Sequence, residues 1–214
     1  IYNNDGTNTF SYYGQMQAGG STINVSDFAV PTFADVDADG DLDLYVGCLS
    51  GYIYEYINDG TGAFTSAGPV TNGTSPIILS QSAPAFADLD GDGDLDLYVG
   101  ANGKIRELTN DGTGHYAYGS YLQAGGSDIN PGSYAKPAFV YNEGNCIPDL
   151  YTGMTYGRIP YYAGSDGLAP IITSTHEDVT IGDGSSCDEI LPNYIDEMTA
   201  TDNCDTYIEF SQSP

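Results

Sequence analysis

The chain has 214 residues, of which 30 are acidic and 4 basic, giving a formal charge of −26 at neutral pH. Such a field repels phosphate backbones and anionic membranes, which argues against nucleic acid as a partner, and no apolar run nears the ~18 residues of a membrane span. Yet 40% apolar and 12% aromatic residues exceed what a disordered acidic chain carries, and Gly, Asn, Asp, Ser, Thr and Tyr without 3.6-residue periodicity predict an all-β protein of short strands and tight turns.

In chain order, residues 1–30 read as part of a unit, because Asn4-Asp-Gly-Thr-Asn-Thr-Phe10 resembles turns found complete further on. Asn24-Val-Ser26 is a candidate glycosylation sequon. The first whole unit, 31–83, opens with Phe33-Ala-Asp-Val-Asp-Ala-Asp-Gly-Asp-Leu-Asp-Leu-Tyr-Val-Gly47. Leu42, Leu44 and Val46 fall on one face of the strand leaving this loop, with Asp43 and Tyr45 on the other. In Gly51-Tyr-Ile-Tyr-Glu-Tyr-Ile-Asn-Asp-Gly-Thr-Gly-Ala-Phe64 the Asn-Asp-Gly turn predicts a strand, tight turn and strand. Asn72-Gly-Thr74 is a second sequon.

The unit 84–136 repeats this order with Phe86-Ala-Asp-Leu-Asp-Gly-Asp-Gly-Asp-Leu-Asp-Leu-Tyr-Val-Gly100, shifted by 53 residues, and with the turn Asn110-Asp-Gly-Thr-Gly114. Pro31, Pro84 and Pro137 keep the 53-residue register, as do Gly47, Gly100 and Gly153. In the unit 137–167 the loop has decayed: Tyr141 replaces the first acid, Cys146 the glycine, and Pro148 precedes Asp149. Glu143, Asn145 and Asp149 retain oxygen donors, and this loop is expected to be metal-free or weak. A boundary is placed near 168, where spacing changes, leaving a segment 168–214 that is short for an independent core.

The two intact loops carry the chemistry. Asp35, Asp37 and Asp39 occupy positions 1, 3 and 5, Gly40 position 6 and Asp43 position 9, with Asp88, Asp90, Asp92, Gly93 and Asp96 in the same slots. Asp41 and Asp94 at position 7 are read as backbone-carbonyl donors whose side chains face water. Clustered carboxylates repel unless a cation sits among them, and Ca²⁺ takes six to eight oxygens from such a loop around a sharp glycine bend. Mg²⁺ demands stricter octahedral geometry, and the absence of His and Cys from both loops disfavours zinc. Two calcium sites are therefore expected, as structural ions with no open coordination position for catalysis.

With their N-D-G-T-G turns, these stretches resemble the FG-GAP and VCBS repeats of secreted proteins and integrin α-subunit propellers, over roughly residues 1–167. The resemblance implies four-stranded β-propeller blades, about three plus a fragment, each intact loop lying at a blade edge; a ring typically needs 4 to 8 blades. Pro170-Ile-Ile, Asp178-Val-Thr-Ile, Cys187 and Ala200-Thr-Asp-Asn-Cys204 are similar to the hyalin repeat, which implies a partial immunoglobulin-like β-sandwich with one disulfide over 168–214.

Four cysteines without C-x-x-C spacing suit disulfides in an oxidising compartment. Cys187 with Cys204 is the expected pair; Cys48 with Cys146 stays open, requiring Cα atoms within about 7 Å. Nineteen tyrosines, including Tyr52, Tyr54 and Tyr56 in one strand and Tyr12, Tyr13, Tyr161 and Tyr162 elsewhere, could stack on sugars, but packing between blades is the favoured role. His115 sits in a turn and His176 in the tail; neither has a catalytic setting, so no enzyme is expected. The reading is a non-catalytic, calcium-stabilised extracellular or cell-surface structural protein, part of an adhesin, fibre or appendage that self-associates. The alternatives are a module binding a glycan or an extracellular protein, and an accessory region of a secreted hydrolase.

Overall fold

The computed structural model describes residues 2–4, 10–141, 147–164, 171–174 and 199–201, which among themselves contain strands and no helix. The chain divides into two compact units, Ile1–Val140 with Asp149–Ala163, and Tyr141–Pro148 with Gly164–Pro214.

The first unit begins with the antiparallel pair β1 (Tyr2–Asn4) and β2 (Phe10–Tyr12). A second hairpin joins β3 (Gln17–Ala18) to β4 (Ser21–Thr22) through Gly19 and Gly20, whose φ values of 56° and 77° suit the paired left-handed positions of a tight hairpin turn. The first blade follows: β5 (Val30–Ala34), β6 (Asp43–Gly47), β7 (Ile53–Asn58) and β8 (Phe64–Pro69), antiparallel neighbours in chain order, with β3 alongside β8. The second blade repeats the order with β9 (Ala83–Ala87), β10 (Asp96–Ala101), β11 (Lys104–Asn110) and β12 (Tyr116–Tyr121). After the hairpin β13 (Gln123–Ala124) and β14 (Ser127–Asp128), the third sheet has three strands: β15 (Lys136–Val140), β16 (Asp149–Gly153) and β17 (Tyr161–Tyr162).

Within the second unit, β18 (Ile171–Ser174) pairs antiparallel with β19 (Thr199–Thr201). The expected Cys187–Cys204 disulfide and His176 lie outside the described residues.

The second strand of each of the first two blades is buried on both faces, which alternation alone did not foretell. Leu44 and Val46 are buried as expected, but Leu42 precedes the strand and is 54% exposed. Tyr45, placed by its alternation on the face away from the apolar residues, is 1% exposed because its ring packs on Phe86 of the next blade at 4.6 Å. Tyr98 repeats this against Phe139 at 5.0 Å. Around these rings sit Ile53, Leu97 and Ile105, each fully buried and worth about 1.5–3 kcal/mol by removal from water. Gly47 and Gly100 make the approach possible, since a Cβ there would overlap the Ser82 and Ala135 carbonyl oxygens of the following blade.

Cys48 is a buried free thiol. Its Sγ lies 3.0 Å from Ser50 Oγ and donates to the Tyr52 carbonyl at 3.4 Å, so the bridge to Cys146 left open by the sequence is not formed. Cys146 itself lies outside the described residues.

Candidate metal centre

The acidic loops connect β5 to β6 and β9 to β10, each held at both ends by a strand of the ladder. One carboxylate oxygen each from Asp35, Asp37 and Asp39 lie within 4.8 Å of one another, and Asp88, Asp90 and Asp92 form the same cluster. The backbone bends around them. Gly40 and Gly93, at φ 93° and 96°, donate their N–H groups to Asp35 Oδ2 and Asp88 Oδ2, both at 3.1 Å. Asp41 N donates to Asp39 Oδ1 and Asp94 N to Asp92 Oδ1, both at 2.9 Å. Position 4 is also left-handed, and here the copies differ: Gly91 takes φ 77° without penalty whereas Ala38 takes 56°, a conformation that costs a residue with a Cβ about 1–2 kcal/mol.

The ninth-position acids are the buried members. Asp43 and Asp96 are 3% and 1% exposed and begin β6 and β10. Each accepts one N–H at 2.7 Å, from Asn58 and Asn110, the first residues of the N-D-G-T-G turns. Those asparagines also donate side-chain N–H groups to the Leu42 and Leu95 carbonyls, at 3.2 and 3.3 Å. Asp41 and Asp94 are half-buried and do not simply face water, a correction to the sequence reading. Their carboxylates lie against Gly60 and Gly112 of the same turns, where a Cβ would come within 2.6 Å of Oδ2. Each acidic loop is thus clamped to its blade's outer turn. From sequence alone the N-D-G-T-G segments read as turns only, although their near-constant distance from the ninth-position acids, 15 residues in the first blade and 14 in the second, is a signal of this role.

Burial raises both Asp43 and Asp96 above the ordinary carboxylate range, and repulsion from the loop acids adds to it, while the Asn58 and Asn110 N–H groups oppose it; Asp96 is pushed up to about 6. A raised folded-state value means that protonated Asp96 contributes stability fully below the unfolded value near 3.8, and that the contribution is lost as pH rises through about 6. In chelator, the wild-type urea midpoint is therefore expected to fall relative to Asp96→Asn between pH 4 and 6.5. A difference independent of pH would refute this.

The donor set fits a hard cation. Asp35 Oδ1 is buried and has no hydrogen-bond partner, and leaving such an oxygen unsatisfied costs about 1–3 kcal/mol or more. A bound cation would satisfy it and offset the mutual repulsion of the three carboxylates. All the side-chain donors are oxygens, the set preferred by Ca²⁺ and Mg²⁺ and not by zinc. In the third repeat Tyr141 is 51% exposed, and Asp149 is 4% exposed and accepts the Tyr161 hydroxyl at 3.1 Å. Glu143 and Asn145 lie outside the described residues.

The other candidate residues fall as follows. Asn24 and Asn72 are exposed. Tyr52, Tyr54 and Tyr56 pack into the apolar cluster with Leu44 and Val46 of their own blade and with Met16 and Ile23 from the segment before it. His115 is an exposed turn residue 2.7 Å from Thr113 Oγ1.

These features define a class: an all-β repeat protein of blade-like sheets with paired acidic loops. Residues 35–99, which span both loops, match the model of the FG-GAP-like repeat family. No curated protein matches the chain. Among solved structures it is similar to a chain of the Photorhabdus luminescens Tc holotoxin pore carrying the TccC3-D651A mutation, at 17% identity and a TM-score of 0.45. That likeness covers 75% of this chain and 8% of the other, so this chain spans under a tenth of its neighbour's length. Among the described residues no helix is long and apolar enough to cross a membrane.

Proposed function

We propose that this chain is a calcium-stabilised, non-catalytic structural module of a secreted or cell-surface protein, working as part of a larger extracellular assembly. The observation that carries the reading is the unsatisfied buried oxygen of Asp35 within a three-carboxylate cluster that the next repeat reproduces. Calcium is favoured over magnesium because the loop offers many oxygens around a flexible bend and no enforced octahedron. The ion's role is to tie the loop between β5 and β6 to the turn between β7 and β8, and likewise in the second blade. Ligand oxygens already oriented by backbone N–H groups suit a fixed ion more than one that exchanges substrates. Millimolar extracellular calcium would largely fill a module with a dissociation constant of about 10⁻⁴ M and about half fill one near 10⁻³ M. Exposed sequons at Asn24 and Asn72 agree with a secreted location and are proposed as glycan attachment points.

Calorimetric titration of chelator-stripped protein tests the reading. Two calcium ions are expected to bind, and Asp92→Ala is expected to weaken one site by at least about tenfold while leaving the other within about twofold, because the clusters belong to different blades. Absence of binding heat at millimolar calcium, or loss of both sites in this single variant, would sink the proposal.

A further inference from the structure

Two of the chain's 4 basic residues, Lys104 and Arg106, stand two positions apart on β11, in a chain with 30 acids. Both side chains lie against tyrosines of the neighbouring strand β12. Lys104 Nζ is 4.6 Å from the centre of the Tyr121 ring, and the Arg106 guanidinium is 4.6 Å from Tyr121 and 5.6 Å from Tyr118. In their polar contacts the two cations differ. Lys104 is neutralised by Asp128 at 2.7 Å, a carboxylate to which Gln123 Nε2 also donates at 3.2 Å. The Arg106 guanidinium makes no ion pair and no hydrogen bond among the described residues, so its N–H donors meet aromatic rings and solvent alone.

The sister blade sets this cluster apart from an ordinary surface charge. In the first blade Tyr52 and Tyr54 stand where the second has Lys104 and Arg106. Across the ladder Tyr54 is opposite Pro69 and Tyr56 opposite Ser66, whereas Arg106 is opposite Tyr121 and Leu108 opposite Tyr118. Four positions therefore change together: two aromatics become cations, and the residues across from this strand become the aromatics that hold them. The first blade packs Tyr52, Tyr54 and Tyr56 into an apolar cluster. In the second, Tyr118 is 45% exposed, and Arg106 and Tyr121 are half-buried.

We infer that Arg106, framed by Tyr118 and Tyr121, binds the acid group of an acidic saccharide, a pyranose bearing a carboxylate or a sulfate ester. A guanidinium presents paired planar donors that match either group, and stacking on tyrosine rings fixes its plane beforehand while leaving its edge open. The exposed Tyr118 ring beside it offers an apolar surface to the C–H face of the same sugar. The surrounding charge narrows the ligand further. A net charge of −26 repels a contiguous run of acids as soon as it leaves the patch, so sparse acid groups spaced by neutral rings fit, whereas an acidic peptide or a nucleic acid does not. Lys104, already paired with Asp128, holds Tyr121 in place and is not the ligand's partner. The site shares no residue with the acidic loops and does not rest on the calcium reading.

Calorimetric titration of the full chain in saturating calcium tests the site, with hyaluronan and chondroitin 4-sulfate hexasaccharides as probes and neutral chitohexaose as control. An acidic probe is expected to bind and chitohexaose is not. Equal binding of the two acidic probes assigns the contact to the carboxylate, and binding of the sulfated one alone assigns it to the sulfate. Arg106→Gln is expected to weaken binding by at least about tenfold, the scale of a charge-assisted hydrogen bond, and Arg106→Lys to recover only part of the loss because a point charge lacks the planar fork. Tyr118→Ser, which installs the residue that the first blade has there, is expected to weaken binding by about threefold or more through loss of the ring, with a melting midpoint within about 2 °C of wild type. Failure of both acidic probes to bind, equal binding of chitohexaose, or an Arg106→Gln affinity within about twofold of wild type overturns the site. So does binding that survives Arg106→Gln and disappears in the Asp39→Ala with Asp92→Ala protein, which would place the acid groups on loop cations. Loss of calcium binding with saccharide binding intact would instead count against the metal reading alone.

Discussion

Chelator-stripped protein is expected to melt roughly 10–20 °C below the form saturated with 10 mM calcium. A ligand that binds only the folded state adds about 2.7 kcal/mol per site at one hundred times its dissociation constant, which 10 mM reaches for a constant near 10⁻⁴ M. Two sites then add about 5 kcal/mol, and each kcal/mol moves the midpoint of a domain this size by about 2–4 °C. Magnesium at equal concentration is expected to give a clearly smaller shift, since it sheds water reluctantly and demands an octahedron. The double variant Asp39→Ala with Asp92→Ala is expected to melt alike with and without calcium. A thermogram that does not respond to chelator, starting from protein shown to be metal-loaded, would refute a stabilising role for these loops.

What the sequence disclosed and what it concealed divide along a physical line. Features set by local chemistry were legible: the acid spacing, the glycine at position 6 and the Asn-Asp-Gly turns are read from a few adjacent residues. So was the 53-residue register, because backbone contacts between blades demand proline and glycine at fixed places. Features set by distant contacts were not. Tyr45 looks like the polar-face partner of Asp43 until the next blade supplies Phe86. Asp41 looks solvent-facing until the turn 58–63 folds back with Gly60 beneath its carboxylate. One repeat was legible yet missed: Gln17-Ala-Gly-Gly-Ser21 returns as Gln123-Ala-Gly-Gly-Ser127, two periods on, and each copy makes a tight hairpin. Its middle copy has become Thr71-Asn-Gly-Thr74, where Asn72 Oδ1 accepts the Thr74 and Ser75 N–H groups, so a search at a single period does not find it.

The clamp between acidic loop and outer turn explains why the metal loops sit where they do. Strand β6 is secured on one side by β5 and on the other by β7, but the loop before it and the turn after β7 leave the sheet at the same edge. Without a cation, that edge concentrates four exposed or half-exposed acids and one buried one. It is where the blade is expected to open first, since like charges in a partly desolvated loop oppose closure. A cation changes the sign of that interaction without altering the strands, so calcium would act as a fastener on a sheet whose core is already assembled.

Gly100→Val and Gly153→Val are expected to give opposite results although they make the same change at the same point of the repeat. At Gly100 a side chain meets the Ala135 carbonyl and the Pro137 ring, and backbone cannot yield as a flexible side chain can. Overpacking of this kind costs about 3 kcal/mol, and the midpoint is expected to fall by about 6–12 °C. At Gly153 the nearest neighbour of the new Cβ among the described residues is Lys136 Cβ at 3.8 Å, an ordinary contact, and a β-branched residue suits a strand. Its effect is expected to stay within about 0.5 kcal/mol, or less than about 2 °C. Equal destabilisation by the two variants, read by thermal melting, would mean that the third blade's outer face is already covered as the second blade's is.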